Sequence, residues 1–428
     1  MISLNTNTGS YIPGFFVLKL DTKNQIPPVK EMDKNTLDVF FHEYIHYLQD
    51  VTTAIGYQNL YTINEYVRSV LNRIYKIPEK KFQIPFIIGD NSDNVLANIS
   101  LQRIVNGDAG SMLKFEIKYI GTDICSIYQI PEVKRITITS RTGEKRIFGV
   151  IAIKESMAYL LEETCGNRIK SPDYPYDIAR IIARRYSHEI ASDPVKLIAL
   201  CDMSLMCSNP ASVFVSFLDL TKKRRIKISK AEDIVDWFYS QEYQSWDQNP
   251  KSLLDHFKVL HKVSLNSITS YIKEIELAKD IENYFNDLYR KVFELREKDP
   301  YFVIRLAREG HCIQNKTFRM IVATLGFPIL KNNRDEHFLF PSTLGDASFL
   351  QYFSAVAEII GLFSKGIDSC GMYKWCKQSP DSTPDYYCTF APWKKVKDAK
   401  LCPYAFLWRH WGLSSYTPIV PDEEDSVE

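Results

Sequence analysis

The sequence predicts an α+β fold, and three observations predict it. A segment from Asp33 to Gly56 repeats apolar residues at helical spacing, and strand-like stretches lie before and after it. Helical spacing then dominates the middle of the chain. The last hundred residues are irregular and rich in cysteine and tryptophan. At 428 residues and 45% hydrophobic content, the chain can bury a large core and divide into two or three domains.

Residues 11–20, Tyr-Ile-Pro-Gly-Phe-Phe-Val-Leu-Lys-Leu, predict a strand. The helix that follows has Asp33 or Asn35 as its cap and Gly56 as its stop. Leu37, Phe41, Ile45 and Leu48 form its apolar stripe, and Asp38, His42, His46 and Gln49 or Asp50 form a polar stripe beside it. A second helix is expected from Leu60 to Tyr75, then strands through 113–128. A hairpin runs from Arg135 to Ser140, turns at Arg141-Thr142-Gly143-Glu144 and returns from Lys145 to Ile153. Helical spacing takes over from there and ends near Gly166. Residues 176–325 read as chiefly helical, most clearly in Asp177–Tyr186, Lys196–Met206, Ile234–Tyr239 and Ile281–Leu295. The basic run from Lys222 to Lys227 reads as a solvated loop, with an acidic partner or nucleic acid as the alternative.

The chemistry concentrates in His42-Glu43-Tyr44-Ile45-His46. Residues four apart on a helix share a face, so two imidazoles can bind one metal ion from the same side. Glu43 stands three residues before His46, within reach of a water on that metal. The chain has only 8 histidines, and the apolar, aromatic flanks do not resemble a surface charge run, so an incidental pair is the weaker reading. A catalytic zinc takes three protein ligands and keeps one open position. No H-E-x-x-H-x-x-G-x-x-H extension follows, since His46 leads into Tyr47-Leu48-Gln49-Asp50, so the third ligand must come from afar. Glu155 is the best candidate: it opens a helical stretch, and small Ala158 one turn on leaves room for a neighbouring helix. The plainer role for Glu155 is a first-turn carboxylate complementing the helix dipole. The second N–H of a metal-bound histidine usually donates to a carboxylate or amide, which Asp38 and Asp50 could supply.

The H-E-x-x-H helix and the downstream Glu155-x-x-Ala158 helix resemble the gluzincin branch of the zincin metallopeptidases. The resemblance implies His42, His46 and Glu155 as zinc ligands and Glu43 as catalytic base, and covers about the first 210 residues. The commoner form of the second motif continues with aspartate, where this chain has Tyr159. Glu162, His188 and Asp202 are substitute ligands, and His188, Tyr186 or Tyr159 could steady an oxyanion. In zincins an edge strand holds an extended peptide, a role open to the strands between 113 and 150. The expected architecture is a zincin-like metallopeptidase domain (1–210), a mainly helical region (211–330) and a small Cys-containing C-terminal region (331–428). The expected function is zinc-dependent hydrolysis of a peptide bond in a protein or peptide substrate. The alternatives are a non-catalytic zinc-binding sensor, or a protein or nucleic-acid adaptor working through the C-terminal segment.

That segment carries Cys370, Cys376, Cys388 and Cys402, with four of the six tryptophans nearby. Four thiolates there would hold a second, structural Zn²⁺; an iron–sulfur cluster and unrelated buried thiols are the alternatives. Pro421 to Glu428 reads as an acidic, disordered tail. A formal charge of +1 gives no general pull toward nucleic acid or anionic membranes, while a regulatory protein partner stays open. Met1-Ile2-Ser3-Leu4-Asn5 does not read as a signal peptide, and no stretch approaches the roughly 20 apolar residues that cross a bilayer. Nine cysteines, an odd number, do not read as a secreted disulfide framework. A soluble, cytoplasmic protein is expected.

Overall fold

The computed structural model describes residues 4–5, 9–88, 94–127, 130–165, 171–244, 250–270, 276–340, 350–379 and 382–420. The predicted helix end near Gly166 and the acidic tail from Pro421 to Glu428 lie outside the described residues. The first long helix, α1 (Lys34–Thr52), starts where Asp33 accepts the Thr36 N–H at 3.0 Å, so Asp33 is the cap. Every residue from Phe40 to Thr52 is buried, which makes α1 a central helix covered on all sides. Its polar stripe therefore faces protein and not solvent.

Gly56 does not stop α1. The helix ends at Thr53, whose extended backbone separates it from α2 (Ala54–Ile74) and whose hydroxyl accepts the Gly56 N–H at 3.4 Å. A Cβ on Gly56 would lie 1.7 Å from the Asp50 carbonyl oxygen, so glycine is needed for close approach across the kink.

The remaining helices are α3 (Asn94–Asn106), α4 (Val150–Thr164), α5 (Ile178–Arg184), α6 (His188–Ser192), α7 (Pro194–Leu205), α8 (Pro210–Lys222), α9 (Ala231–Ser240), α10 (Leu253–Ser270), α11 (Glu276–Lys298), α12 (Phe302–Arg308), α13 (Lys316–Leu325), α14 (Leu350–Lys365), α15 (Tyr373–Cys376) and α16 (Pro403–His410). The strands are β1 (Leu4–Asn5), β2 (Gly9–Ile12), β3 (Val17–Leu20), β4 (Lys81–Gln83), β5 (Ile117–Ile127), β6 (Ile130–Ser140), β7 (Lys145–Phe148), β8 (Tyr243–Gln244), β9 (Pro250–Lys251), β10 (Ile329–Lys331), β11 (His337–Phe338) and β12 (Thr417–Ile419). The class is mixed α+β, as the pattern predicts.

The single strand expected over 11–20 is a hairpin, β2 and β3, broken at Pro13-Gly14. This hairpin belongs to a five-stranded sheet of order β1-β2-β3-β10-β11. Strand β10 joins β3 in parallel, with Leu330 opposite Leu18, and β12 joins β4 in parallel, with Pro418 opposite Phe82. The last hundred residues thus complete sheets begun in the first hundred. Three residues are too few to show a strand period, which is why β10 escapes the sequence pattern.

Strands β5, β6 and β7 form an antiparallel sheet that reverses at Arg141–Glu144, with Gly143 at φ +90°. Strand β7 stops at Phe148, earlier than the pattern suggests, and α4 begins at Val150. Glu155 is therefore the sixth residue of α4, beyond the first turn where a carboxylate complements the helix dipole. Helix α4 packs on both α1 and α7, and residues 150–162 are all buried. One contiguous apolar core extends from Tyr11 to Leu413. Residues Lys222 to Arg225 are exposed in the turn that closes α8. Among the described residues no helix is long and apolar enough to cross a membrane.

Candidate metal centre

Helix periodicity puts His42 and His46 on one face of α1, and their Nε2 atoms lie 3.2 Å apart. From α4, Glu155 brings Oε2 to 3.2 Å from His42 Nε2 and 3.5 Å from His46 Nε2. A tetrahedral zinc with bonds of about 2.0–2.1 Å separates its ligand atoms by about 3.3 Å. The observed triangle has that size. All three residues are buried, at 3%, 0% and 2% exposure. Among the described residues they form the one group of three or more His, Cys, Asp or Glu residues whose donor atoms all lie within 4.8 Å of one another.

The outer ring nitrogens explain why the inner ones converge. His46 Nδ1 lies 2.9 Å from Gln49 Oε1, and Gln49 Nε2 donates to the Lys154 carbonyl at 3.0 Å. Because the amide oxygen can only accept, His46 donates from Nδ1 and keeps a lone pair on Nε2. His42 Nδ1 faces Glu162 Oε2 at 3.3 Å, about two α4 turns beyond Glu155. Such outer contacts fix ring orientation and raise the basicity of a ligand. Gln49 and Glu162 fill the roles expected of Asp50 and Asp38. Asp50 instead accepts from Tyr11 Oη at 3.0 Å and the Gly14 N–H at 2.7 Å.

Ring nitrogens and carboxylate oxygens facing one another across 3.2–3.5 Å need a hydrogen or a metal ion between them. Burial opposes protonation of His42, yet the Glu162 and Glu155 carboxylates overcome it and raise its pKa well above the ordinary imidazole value. Burial pushes the Glu155 carboxyl up, but the imidazoles of His46 and His42 pull it down further, to about 2. The buried group can therefore hold a cation, either a proton or a metal, and two imidazoles with one carboxylate are a donor set that Zn²⁺ accepts.

Glu43 is fully buried on the same helix, and β2 crosses directly beside it. A Cβ on Gly9 would lie 2.9 Å from Glu43 Oε1 and 2.7 Å from Val39 Cγ1, so only glycine lets the strand pass. A further residue carries no motif and escapes sequence reading. Tyr176 sets its ring edge-on to His42, with centroids 6.2 Å apart. Burial raises its phenol pKa, and the Glu155, Glu43 and Glu162 carboxylates raise it more. Its segment is fixed by backbone bonds between Met112 and Tyr174 (3.0 and 3.2 Å) and by Ser156 Oγ donating to the Pro175 carbonyl at 2.9 Å.

The other candidates have other partners. His188 is exposed at the start of α6, and Tyr186 lies under the Lys222 ammonium at 5.5 Å. Asp202 is engaged by Arg296. Tyr159 packs against Tyr176 at 6.2 Å.

Cys370, Cys376, Cys388 and Cys402 come into one irregular region, where the Cys370 N–H donates to the Cys388 carbonyl at 2.8 Å. Burial raises all four thiols, Cys376 to about 11, with Cys402 and Cys388 adding to the rise at Cys376. No three of these sulfurs meet the 4.8 Å spacing, so a four-thiolate set is not assembled as the histidine centre is.

No protein-family model, curated protein or solved structure matches this chain. The functional reading therefore rests on the chemistry of the site and not on fold analogy.

Proposed function

We propose that this protein is a zinc-dependent peptidase with a zincin-like catalytic core, working in a reducing, cytoplasmic compartment. The observation that supports it most is the triangle of His42 Nε2, His46 Nε2 and Glu155 Oε2, with both outer imidazole nitrogens held and Glu43 beside it. When bound there, Zn²⁺ supplies Lewis acidity toward a carbonyl oxygen and lowers the pKa of a coordinated water.

The chain's own groups account for the rest. Glu43 accepts the proton of the attacking water and returns it to the leaving amine, a role suited to a buried carboxylate that is not itself a ligand. Tyr176, half-buried beside these carboxylates, donates its phenolic proton to the oxyanion of the tetrahedral adduct. Gln49 and Glu162 keep the two imidazoles aimed. The nine cysteines are all free thiols, which supports the compartment.

Glu43→Gln tests the reading. Elemental analysis is expected to give the same zinc content as wild type, while cleavage of fluorescein-labelled casein or of a peptide library disappears. Cleavage by the variant at the wild-type rate would overturn the mechanism. Tyr176→Phe should lower kcat by about 100-fold and leave KM nearly unchanged, because the hydrogen bond forms only as the oxyanion develops.

A further inference from the structure

A cavity of about 280 Å³ lies between α2, α3, α4 and α14, and Lys154, the residue before Glu155, lines it. Its walls are chiefly apolar, with Ile55, Ile63, Ile99 and Ile151 among them. Two cations stand out against that lining. Lys154 is 4% exposed, and its ammonium is 3.8 Å from Asp50 Oδ1, beyond hydrogen-bond length. Among the described residues Lys154 Nζ donates no hydrogen bond, and Asp50 Oδ1 receives none. Arg103, exposed at the rim, likewise has no ion pair or hydrogen bond among the described residues.

Lys154 and Arg103 are the two basic residues of the lining, and Asp50, the partner of Lys154, lies outside it. A buried ammonium with unspent donors is costly unless an acceptor meets it. A cavity this small holds roughly a dozen non-hydrogen atoms, near the lower end of ligand-pocket sizes.

We propose that this cavity binds a small amphipathic carboxylate. The head group accepts from Lys154, and the apolar body lies along the isoleucines of α2, α3 and α4. Occupancy reports to the metal centre through a short covalent and hydrogen-bonded path. Lys154 precedes Glu155 in α4, and its carbonyl accepts from Gln49, which holds His46 Nδ1. Asp50, the partner of Lys154, follows Gln49 in α1. Ligand binding thus fixes the two helix segments that carry His46 and Glu155. The binding itself does not depend on peptidase activity.

Octanoate and 3-phenylpropionate are the probes, with octanol as the uncharged control, titrated into the full-length zinc-loaded protein and followed by ligand-observed NMR. Both acids are expected to bind, and octanol at least about tenfold more weakly. Lys154→Met should remove the preference for the acid. Because that change leaves Asp50 buried without its cation and can impair folding, Ile99→Trp is the second variant: it fills the cavity and keeps the ion pair. It should abolish binding with circular dichroism unchanged. Zinc release to a chelator should change by several-fold with octanoate in wild type and not in Ile99→Trp. No binding to wild type at about 10 mM acid, or equal binding to Ile99→Trp, overturns the site. Unchanged zinc release at saturating octanoate overturns the link to the metal centre.

Discussion

Helix α1 meets buried charge in two places, and they are built differently. At its C-terminal end Arg296, fully buried, donates to Asp202 at 2.7 and 2.8 Å, to the Thr52 carbonyl at 3.0 Å and to Thr52 Oγ1 at 3.1 Å. One cation meets one anion, and the guanidinium also stacks over Phe302 at 4.8 Å. Toward the middle of the same helix two buried carboxylates, Glu155 and Glu162, meet two imidazoles, and the two Nε2 atoms face each other. The first arrangement is charge-balanced and complete without any addition. The second is complete only with a cation. Buried charge alone therefore does not mark a functional site; imbalance among well-oriented donors does.

Breaking the balanced pair should cost the most stability. Arg296→Met leaves Asp202 buried with no cation, and chemical denaturation should show a loss of about 3–5 kcal/mol. Replacing both partners, Arg296→Met with Asp202→Leu, should recover much of that loss. Failure of the double variant to recover would show that Thr52 and Phe302, not charge balance, set the energy.

The unbalanced centre should respond in metal affinity. Glu155→Ala or His46→Ala should weaken zinc binding by more than the roughly 100-fold that loss of an outer contact can cause. Chelator competition measures it, and unchanged affinity in either variant removes that residue from the ligand set. Gln49→Ala and Glu162→Gln should each weaken binding by about 10- to 100-fold, since the imidazoles remain but lose their aim. If Glu162→Gln weakens binding more than Glu155→Ala, the two glutamates exchange roles.

Much of this centre is legible in the sequence. Asp33, the Leu37-Phe41-Ile45-Leu48 stripe and the histidine spacing point to one helix and one face, because helix geometry is local. Glu155 is legible as a glutamate with a small residue one turn on. The outer contacts are less so: Asp38, Gln49 and Asp50 all have helical access to the motif, and only tertiary packing selects Gln49. Tyr176 is not legible at all, since its place depends on Met112 pairing with Tyr174 across 62 residues of sequence. Gly56 misleads for a related reason. A glycine after a helix reads as a stop, but here it answers a backbone approach that the linear sequence does not display.

The parallel pairing of β10 with β3 has a consequence for biosynthesis. Val17 to Leu20 leave the ribosome about 310 residues before Ile329 to Lys331 can join them. At roughly 5–20 residues per second, that interval is about 15–60 s. Tyr44 and Tyr47 wait nearly as long, because their hydroxyls donate to the Gly326 and Leu325 carbonyls at 2.8 and 2.9 Å. The helix that carries His42 and His46 is therefore enclosed only after about 280 further residues have been made. Until Ile329 to Lys331 emerge, the nascent chain exposes both an open strand edge and an aromatic helix face, the surfaces on which chaperones and aggregation compete.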